Sequence, residues 1–338
     1  MAYVALYLSC MALGYFLGNR TREKFASLSG IANGIMLVSV SILVFLMGIR
    51  MGSNEEIIQN LGNIGLMSLL FTVVVVTGGI LSVTAARKLF GIDKYGRLKH
   101  QELSCESEAL KDFCNGTEME GEPEQNGHDS VGIMTFLIVI FVVLGILFGY
   151  FYIRVHVADV EGFNADASYA MTAGLCVLMA SIGFDMGRTG TVAAQIKQIG
   201  ARVLIFPIAV IIGTGLSSAA LSLFLTELTL RECLAIGFGF GWYTFAPVTI
   251  SGAGHVMAGA VSFMHNVIRE TCGIILIPIL AKRIGYIEVC SLPGVASADI
   301  GVTLVEKSTR ADIIIYSFAI GISESLLIPF LVTVSIGA

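Results

Sequence analysis

Residues 232–250 read "ECLAIGFGFGWYTFAPVTI", a stretch that decides the fold because it is apolar but too interrupted for one straight helix. Three glycines and Pro247 break the run. Backbone that leaves the helical hydrogen-bond pattern is tolerated at membrane depth only where protein or a water-filled cavity covers it. The stretch therefore indicates a broken or re-entrant segment that lines a solute path.

A second broken segment follows at residues 289–305, "VCSLPGVASADIGVTLV", which is short and contains Pro293, Gly294 and Asp299. A helix needs roughly 20 apolar residues to cross a bilayer core. Eight other runs approach that length, at 3–18, 31–50, 62–86, 132–153, 169–187, 203–225, 257–281 and 313–336. We therefore predict an all-α polytopic membrane protein with about eight transmembrane helices and two broken or re-entrant segments.

The composition excludes a soluble fold. The chain of 338 residues is 55% hydrophobic and 13% charged, with a mean hydropathy of +0.84, whereas soluble domains carry about 25% charged residues. Its 20 basic residues are scattered and form no stripe for nucleic acid. The cysteines and histidines lack metal-ligand spacing. We predict neither a metal nor a cofactor, and no enzymatic activity.

The charges of the loops orient the helices. Arg20, Arg22 and Lys24 predict that the first loop is cytoplasmic, which places the N-terminus outside. If both broken segments return to the side from which they enter, the C-terminus is outside as well. Residues 91–130 are polar and acidic, and predict a disordered cytoplasmic linker.

Two pairs of motifs indicate an internal repeat. "LGYFLG" at 13–18 and "LVFLMGIRMG" at 43–52 are echoed by "LGILFGYF" at 144–151 and "LMASIGFDMG" at 178–187. Three spans in each unit invert the second copy, which is typical of secondary transporters. We predict a first three-helix repeat at 1–90, the linker at 91–130 and an inverted repeat at 131–226. Residues 227–338 then hold two broken segments and two helices that carry the transport site.

Polar residues inside the apolar runs are the candidate site. A charge at a helix centre costs about 2.5–3.5 kcal/mol, so such residues usually have a function. Asn266, Arg269 and Glu270 recur within the run 257–281. Glu270 would bind a proton or a substrate amine, and the alternative is a structural Arg269–Glu270 pair. Glu324 is a further carboxylate at membrane depth, with a relay and a packing role equally open.

The broken segments supply the remaining candidates. Asp299 lies where unwound backbone faces a cavity, and the small residues around Ser297 let backbone approach a ligand closely. Trp242 and Tyr243 would offer a cation–π face to an ammonium group, with a role as aromatic anchors as the alternative.

These motifs carry a resemblance. "FGFGWYTFAPVTIS", "NVIRETCGIILIPILAKRIGY", "PGVASADIGVTLV", "MGIRMG" and "IGFDMG" together resemble the lysine exporter LysO family of prokaryotic membrane proteins. The resemblance implies lysine export driven by inward proton flow in the cytoplasmic (inner) membrane, with both termini outside. It also implies two central carboxylates, which fall on Glu270 and Asp299. The acidic linker, Glu324 and "VASAD" in place of a "TSMD"-like run depart from the family pattern.

The leading hypothesis is a secondary transporter that exports L-lysine, and analogues such as thialysine, by proton antiport. Lysine, protons and the lipid bilayer are then its partners, and the oligomeric state stays open. One alternative is a sodium-coupled carrier of an organic anion, in which Asp299 binds the ion and Arg269 the substrate. Another is an intramembrane hydrolase that uses Ser251 and His255.

Overall fold

The computed structural model describes residues 2–21, 29–96, 140–157, 159–189, 203–298 and 300–337. Its longer helices are α1 (Ala2–Thr21), α2 (Ser29–Ser53), α4 (Leu61–Leu89), α5 (Ile140–His156, with a π-helical turn at Gly149–Ile153), α6 (Val160–Thr189), α7 (Ile205–Leu221), α10 (Val256–Ile284) and α13 (Ile314–Ile336). Shorter ones are α3 (Glu55–Gln59), α8 (Leu230–Gly237), α9 (Ala246–Gly252), α11 (Tyr286–Val289) and α12 (Ile300–Ser308), with 3₁₀ turns at Gly294–Ala298 and Ala311–Ile313.

The prediction of an all-helical polytopic membrane protein is confirmed. Within the described residues, five helices are long and apolar enough to cross a bilayer, and two shorter helices, Ile140–His156 and Ile205–Leu221, are also apolar. Large apolar side chains such as Leu66 of α4 and Leu216 of α7 are exposed on the outer surface of the helices. Such exposure is expected where the surrounding medium is lipid, because a soluble monomer rarely shows extended apolar patches.

Helices α1 and α6 pack at very short range. An added β-carbon at Gly14 of α1 would overlap the carbonyl of Ala180 in α6. Conversely, an added β-carbon at Gly183 of α6 would overlap the carbonyl of Met11 in α1. Small residues allow helix backbones to approach closely in membranes, where packing replaces the hydrophobic effect as the driving force. The paired motifs of the sequence therefore lie at helix contacts.

The same close approach recurs in two other helix pairs. Gly149 of α5 lies against the carbonyl of Ile49 in α2, so that a β-carbon there would overlap it. Between α4 and α7, a β-carbon at Gly213 would lie 2.6 Å from the carbonyl oxygen of Gly78. The contacts thus join α1 with α6, α2 with α5, and α4 with α7.

The chain from 230 to 255, here called the first hairpin, folds back on itself. Helix α8 begins with a capping box, in which the Thr229 hydroxyl accepts the amide N–H of Glu232 and the Glu232 carboxylate accepts the amide N–H of Thr229. The helix ends at Gly237 because the glycine-rich stretch follows, and α9 begins only at Ala246. At the far end, Nδ1 of His255 lies 2.8 Å from Oε1 of Glu232. The two ends of the segment are therefore neighbours.

The second hairpin, residues 286–313, folds back in the same way. The amide N–H of Tyr286 donates to the carbonyl of Lys94 at 3.1 Å. Gly96 packs against the side chain of Ile313, at the other end of the hairpin. Both ends of the second hairpin consequently rest on residues 94–96, which follow α4.

The two hairpins are connected to opposite ends of α10. The first hairpin ends at His255, directly before α10, and the second begins directly after Gly285, which follows it. Twenty-nine residues at 1.5 Å each make α10 about 43 Å long, more than the thickness of a bilayer core. Nevertheless the hairpins touch, because the amide N–H of Val295 donates to the carbonyl of Phe240 at 2.9 Å. The tip of the first hairpin, around Phe240, and the tip of the second, around Val295, must therefore meet partway along α10.

Candidate functional site

The contact between the hairpin tips uses unusual backbone. Phe240 has a φ of 42°, which is a rare conformation for a bulky side chain. Gly294 has a φ of 70°, and it lies so close to the Phe240 carbonyl that a β-carbon would overlap this carbonyl. Conformations of this kind persist only where surrounding contacts enforce them, and they cluster at functional sites. The contact between the tips is accordingly a candidate site.

Helix α10 holds both tips. The Asn266 side chain accepts the amide N–H of Gly241 at 2.7 Å through Oδ1. Its Nδ2 donates to the carbonyl of Ser262 at 2.8 Å, which fixes the orientation of the amide. Two turns further along, Gly273 packs directly on the backbone of Pro293 from the second hairpin. At 1.5 Å per residue, Asn266 lies about 15 Å and Gly273 about 25 Å from the start of α10, so the two contacts lie on either side of the middle of this helix.

Arg269 lies between these two anchor points. Its side chain is only 2% exposed, and its guanidinium carbon lies 5.1 Å from the centre of the Phe240 ring, within cation–π range. One nitrogen, Nη2, donates to the Ser291 carbonyl at 3.4 Å. The same nitrogen lies 4.0 Å from Oε1 of Glu324, a fully buried residue of α13. A charge pair at the meeting point of the hairpins is the result.

Most of the hydrogen-bonding atoms of this charge pair have no partner among the described residues. Among the described residues, neither carboxylate oxygen of Glu324 has a hydrogen-bond partner, and the same holds for Nε and Nη1 of Arg269. Leaving a buried polar group without a partner costs about 1–3 kcal/mol, and more for a charged group. Native proteins therefore keep few such groups, and those that remain call for an explanation. One explanation is a ligand that supplies the missing hydrogen-bond partners.

Helix α13 brings Glu324 to this place through a close contact with the second hairpin. A β-carbon at Gly321, one turn before Glu324, would overlap Ala298 at the end of the 3₁₀ turn. One turn before Gly321, the Ser317 hydroxyl of α13 donates to the Ser297 carbonyl at 2.7 Å. These contacts fix the position of α13 along the hairpin and thereby the depth of the carboxylate.

The structure gives Arg269 a partner that the sequence did not suggest. The sequence allows a structural pair of Arg269 with Glu270, whereas the structure pairs Arg269 with Glu324. Side chains of adjacent residues in a helix point about 100° apart and do not face the same neighbours. Glu270 is half-buried. A β-carbon added at Gly241 would lie 3.8 Å from the β-carbon of Glu270. Glu270 thus borders the tip of the first hairpin.

The other predicted site residues have different surroundings. The ring of Trp242 lies 5.4 Å from that of Phe245, and the ring of Tyr243 packs edge-on against Phe263. The Ser297 hydroxyl donates to the carbonyl of Cys290, inside the second hairpin. Asp299 lies outside the described residues.

The geometry around Ser251 is unfavourable for a hydrolase. A nucleophile and its base should be within hydrogen-bond reach. The buried Ser251 hydroxyl has no hydrogen-bond partner in the described part of the chain, whereas His255 contacts Glu232. The Ser251 carbonyl instead accepts a hydrogen bond from the buried guanidinium of Arg50, which joins the first hairpin to α2.

Sequence reasoning missed a second buried ion pair. Nε of Arg87 lies 2.6 Å from Oε1 of Glu288, near the start of the second hairpin. Neither Arg87 nor Glu288 is singled out by the sequence as a candidate site residue. The position of Glu288 at the border of a broken segment was the available signal. No group of three or more His, Cys, Asp or Glu side chains that could hold a metal occurs among the residues described.

Comparisons with known proteins agree with the resemblance. The model of the family "Lysine exporter LysO" matches residues 139–336, more than half of the chain. Lysine exporter LysO of Escherichia coli (strain K12) is 25% identical over 158 residues, which cover 47% of this chain and 52% of that protein. A putative lysine exporter of Haemophilus influenzae is 25% identical over 118 residues, covering 35% and 60% respectively.

These matches extend over little more than half of each relative's length. The comparison with solved structures gave no significant match. The family match nevertheless includes both hairpins, Arg269, Glu270 and Glu324. From the family match over residues 139–336, the chain belongs to the lysine exporter LysO family, a family of bacterial multi-pass membrane exporters.

Proposed function

We propose that the chain exports L-lysine, and close analogues such as thialysine, across the bacterial cytoplasmic membrane in exchange for protons. The observation that carries this proposal is the buried and unsatisfied Arg269–Glu324 pair at the contact between the hairpin tips. Charged groups at membrane depth usually line a substrate or ion path. The names of the two relatives point to lysine as the substrate.

The proposed architecture has eight membrane-spanning helices and two re-entrant hairpins. Its support comes from the contacts between neighbouring elements. Each hairpin begins and ends at one place, and the two are rooted at opposite ends of α10. A tip in the middle of the membrane can be reached from one side or the other, as a transporter requires.

The inverted repeat is proposed on the pattern of helix pairs. If residues 1–90 and 131–226 are related by a two-fold axis in the membrane plane, the first helix of one unit exchanges with the first helix of the other. The contacts of α1 with α6 and of α2 with α5 are then equivalent. The contact between α4 and α7 would then lie on this axis, as expected for the third helices of the two units. Residues 227–338 complete the protein with the proposed transport site.

Two carboxylates carry the proposed coupling. Glu270 borders the first hairpin tip, and Asp299 follows next in the sequence after the 3₁₀ turn Gly294–Ala298 of the second hairpin. In a low-dielectric site, a carboxylate is stabilised either by an ammonium group or by a proton. Competition between the two occupants exchanges lysine for protons. Movement of the hairpins and their neighbouring helices against the glycine-packed helices would expose the site to each side in turn.

A sodium-coupled carrier of an organic anion is the second candidate. It is supported by Arg269, whose Nε and Nη1 have no acceptor among the described residues. Such donors suit a carboxylate on the substrate. The non-helical backbone of both tips could bind the sodium ion through carbonyl oxygens.

Counterflow of labelled lysine in proteoliposomes tests the proposal. We expect lysine uptake against unlabelled internal lysine, acceleration of net flux by an imposed pH gradient, and no requirement for sodium. Glu270→Gln should abolish exchange, whereas the matched change Glu55→Gln, at an exposed surface pair, should not. Sodium-dependent flux that ignores the pH gradient would refute proton antiport. Absence of lysine counterflow in reconstituted wild-type protein would refute lysine export.

A further inference from the structure

The unsatisfied atoms at the hairpin contact comprise donors and acceptors side by side. Nε and Nη1 of Arg269 are donors, and Oε1 and Oε2 of Glu324 are acceptors. Both side chains are at most 2% exposed. The protein groups described around them, the Ser291 carbonyl and the Phe240 ring, satisfy only Nη2 and the face of the guanidinium. Whatever completes this site must supply an acceptor and a donor together.

The separation of the two charges is also informative. At 4.0 Å, Nη2 of Arg269 and Oε1 of Glu324 attract each other without forming a hydrogen bond. Neither residue therefore uses the hydrogen-bonding capacity of the other at these two atoms. A simple anion would match Arg269 but would be repelled by Glu324, and a simple cation would show the reverse preference. A zwitterion whose two charges are adjacent matches both.

We propose that Arg269 and Glu324 bind the α-carboxylate and the α-ammonium group of the transported amino acid. This inference rests on the proposed function and deepens it, because it assigns the two ends of lysine to different residues. Arg269 holds the carboxylate through charge-assisted hydrogen bonds, and Glu324 accepts from the α-ammonium. The side-chain ammonium is then left to Glu270, which points about 100° away from Arg269 around the helix.

The inference makes the intact amino-acid head group a requirement. L-Lysine amide lacks the carboxylate, Nα-acetyl-L-lysine lacks the α-ammonium charge, and cadaverine lacks the carboxylate while keeping two amines. A site made only of carboxylates would accept cadaverine and lysine amide at least as well as lysine. The head-group site rejects all three, because each leaves Arg269 or Glu324 buried without its partner.

Competition against labelled lysine, bound to the purified full-length protein in detergent, tests this inference without any mutation. We expect lysine amide, Nα-acetyl-lysine and cadaverine to compete more weakly than lysine by about tenfold or more. Equal or better competition by lysine amide and cadaverine would overturn the inference, and lysine export could still stand. Failure of the protein to bind lysine at all would overturn both.

Matched variants locate the selectivity. Glu324→Gln should remove the discrimination between lysine and Nα-acetyl-lysine, and Arg269→Lys should weaken that between lysine and lysine amide. Glu55→Gln and Arg154→Lys, at the exposed ion pair, should leave both ratios unchanged. Because these are ratios within one variant, a general loss of folded protein does not imitate the result. Unchanged ratios in Glu324→Gln and Arg269→Lys would contradict the assignment. Head-group selectivity in binding without any counterflow would refute export, but the assignment of the lysine carboxylate to Arg269 and of its α-ammonium to Glu324 would stand.

Discussion

Two buried arginine–glutamate pairs in this protein differ in how completely they are satisfied. In the pair near the start of the second hairpin, Nε of Arg87 lies 2.6 Å from Oε1 of Glu288. The Thr84 hydroxyl donates to the same oxygen at 3.1 Å, and Nη1 of Arg87 donates to the Ile92 carbonyl at 3.0 Å. Among the described residues, Oε2 of Glu288 is the one buried side-chain atom of this pair that lacks a partner.

The pair at the hairpin contact is open by comparison. Arg269 and Glu324 are 4.0 Å apart, and within the described residues they leave four atoms without partners. A closed pair, in which nearly all hydrogen-bonding atoms have partners, stabilises the fold, because its hydrogen bonds are lost if either residue is removed. A pair with unused donors and acceptors can instead form hydrogen bonds to a substrate that binds and dissociates. We infer that Arg87–Glu288 holds the second hairpin in place and that Arg269–Glu324 serves the substrate.

The largest expected effect is on stability, at the closed pair. Arg87→Ala leaves Glu288 as an unpaired buried charge, which should destabilise the protein by about 3–5 kcal/mol. Thermal unfolding of the detergent-purified protein measures this loss. The control Arg154→Ala breaks a surface pair with Glu55 and should cost at most about 1 kcal/mol. Equal losses in the two variants would show that the Arg87–Glu288 pair does not fasten the hairpin.

A matched pair of substitutions separates the two roles. Glu288→Gln and Glu324→Gln both remove the charge of a fully buried carboxylate. The first should lower the thermal stability more, because the carboxylate accepts hydrogen bonds from Arg87 and Thr84. The second should lower stability less and reduce lysine binding far more. The opposite ranking in both measurements would reverse our assignment of the pairs.

The smallest effect concerns the start of the first hairpin, where a capping box takes the place of a buried ion pair. Thr229→Ala removes the cap of α8 and should cost about 1 kcal/mol. The thermal midpoint of this variant should therefore lie between those of wild type and Arg87→Ala. A loss as large as that of Arg87→Ala would mean that both hairpins are fastened equally strongly.

The sequence predicted the helices well because the bilayer imposes a simple rule. Each apolar run must satisfy its backbone within a helix, and the described part of every predicted run lies mainly in one helix. Glycines and Pro247 also marked the first hairpin correctly as a break. The confirmed family resemblance rested on these same broken segments together with the motif around Arg269.

The partners of the buried charges could not be predicted. Arg269 and Glu324 lie on different helices, and only packing through Gly321 and Ala298 brings them to one depth. Arg87 and Glu288 are likewise distant in sequence, and neither lies in a motif that indicates a pair. Pairing of this kind depends on tertiary geometry, which hydropathy and spacing do not encode. Asp299, a residue that the sequence emphasised, lies outside the described residues and stays a prediction.

Accessibility of the hairpin contact tests the central claim, that the substrate binds where the two hairpins meet. A cysteine is introduced at Ala296 or Ala298 in a protein whose seven native cysteines have been replaced. Labelling by a small membrane-permeant thiol reagent is then followed with and without saturating lysine. We predict that the cysteine reacts and that lysine slows the reaction, while the same amount of cadaverine does not. A cysteine that reacts at the same rate with and without lysine, or that never reacts at either position, would contradict a substrate site at the hairpin contact.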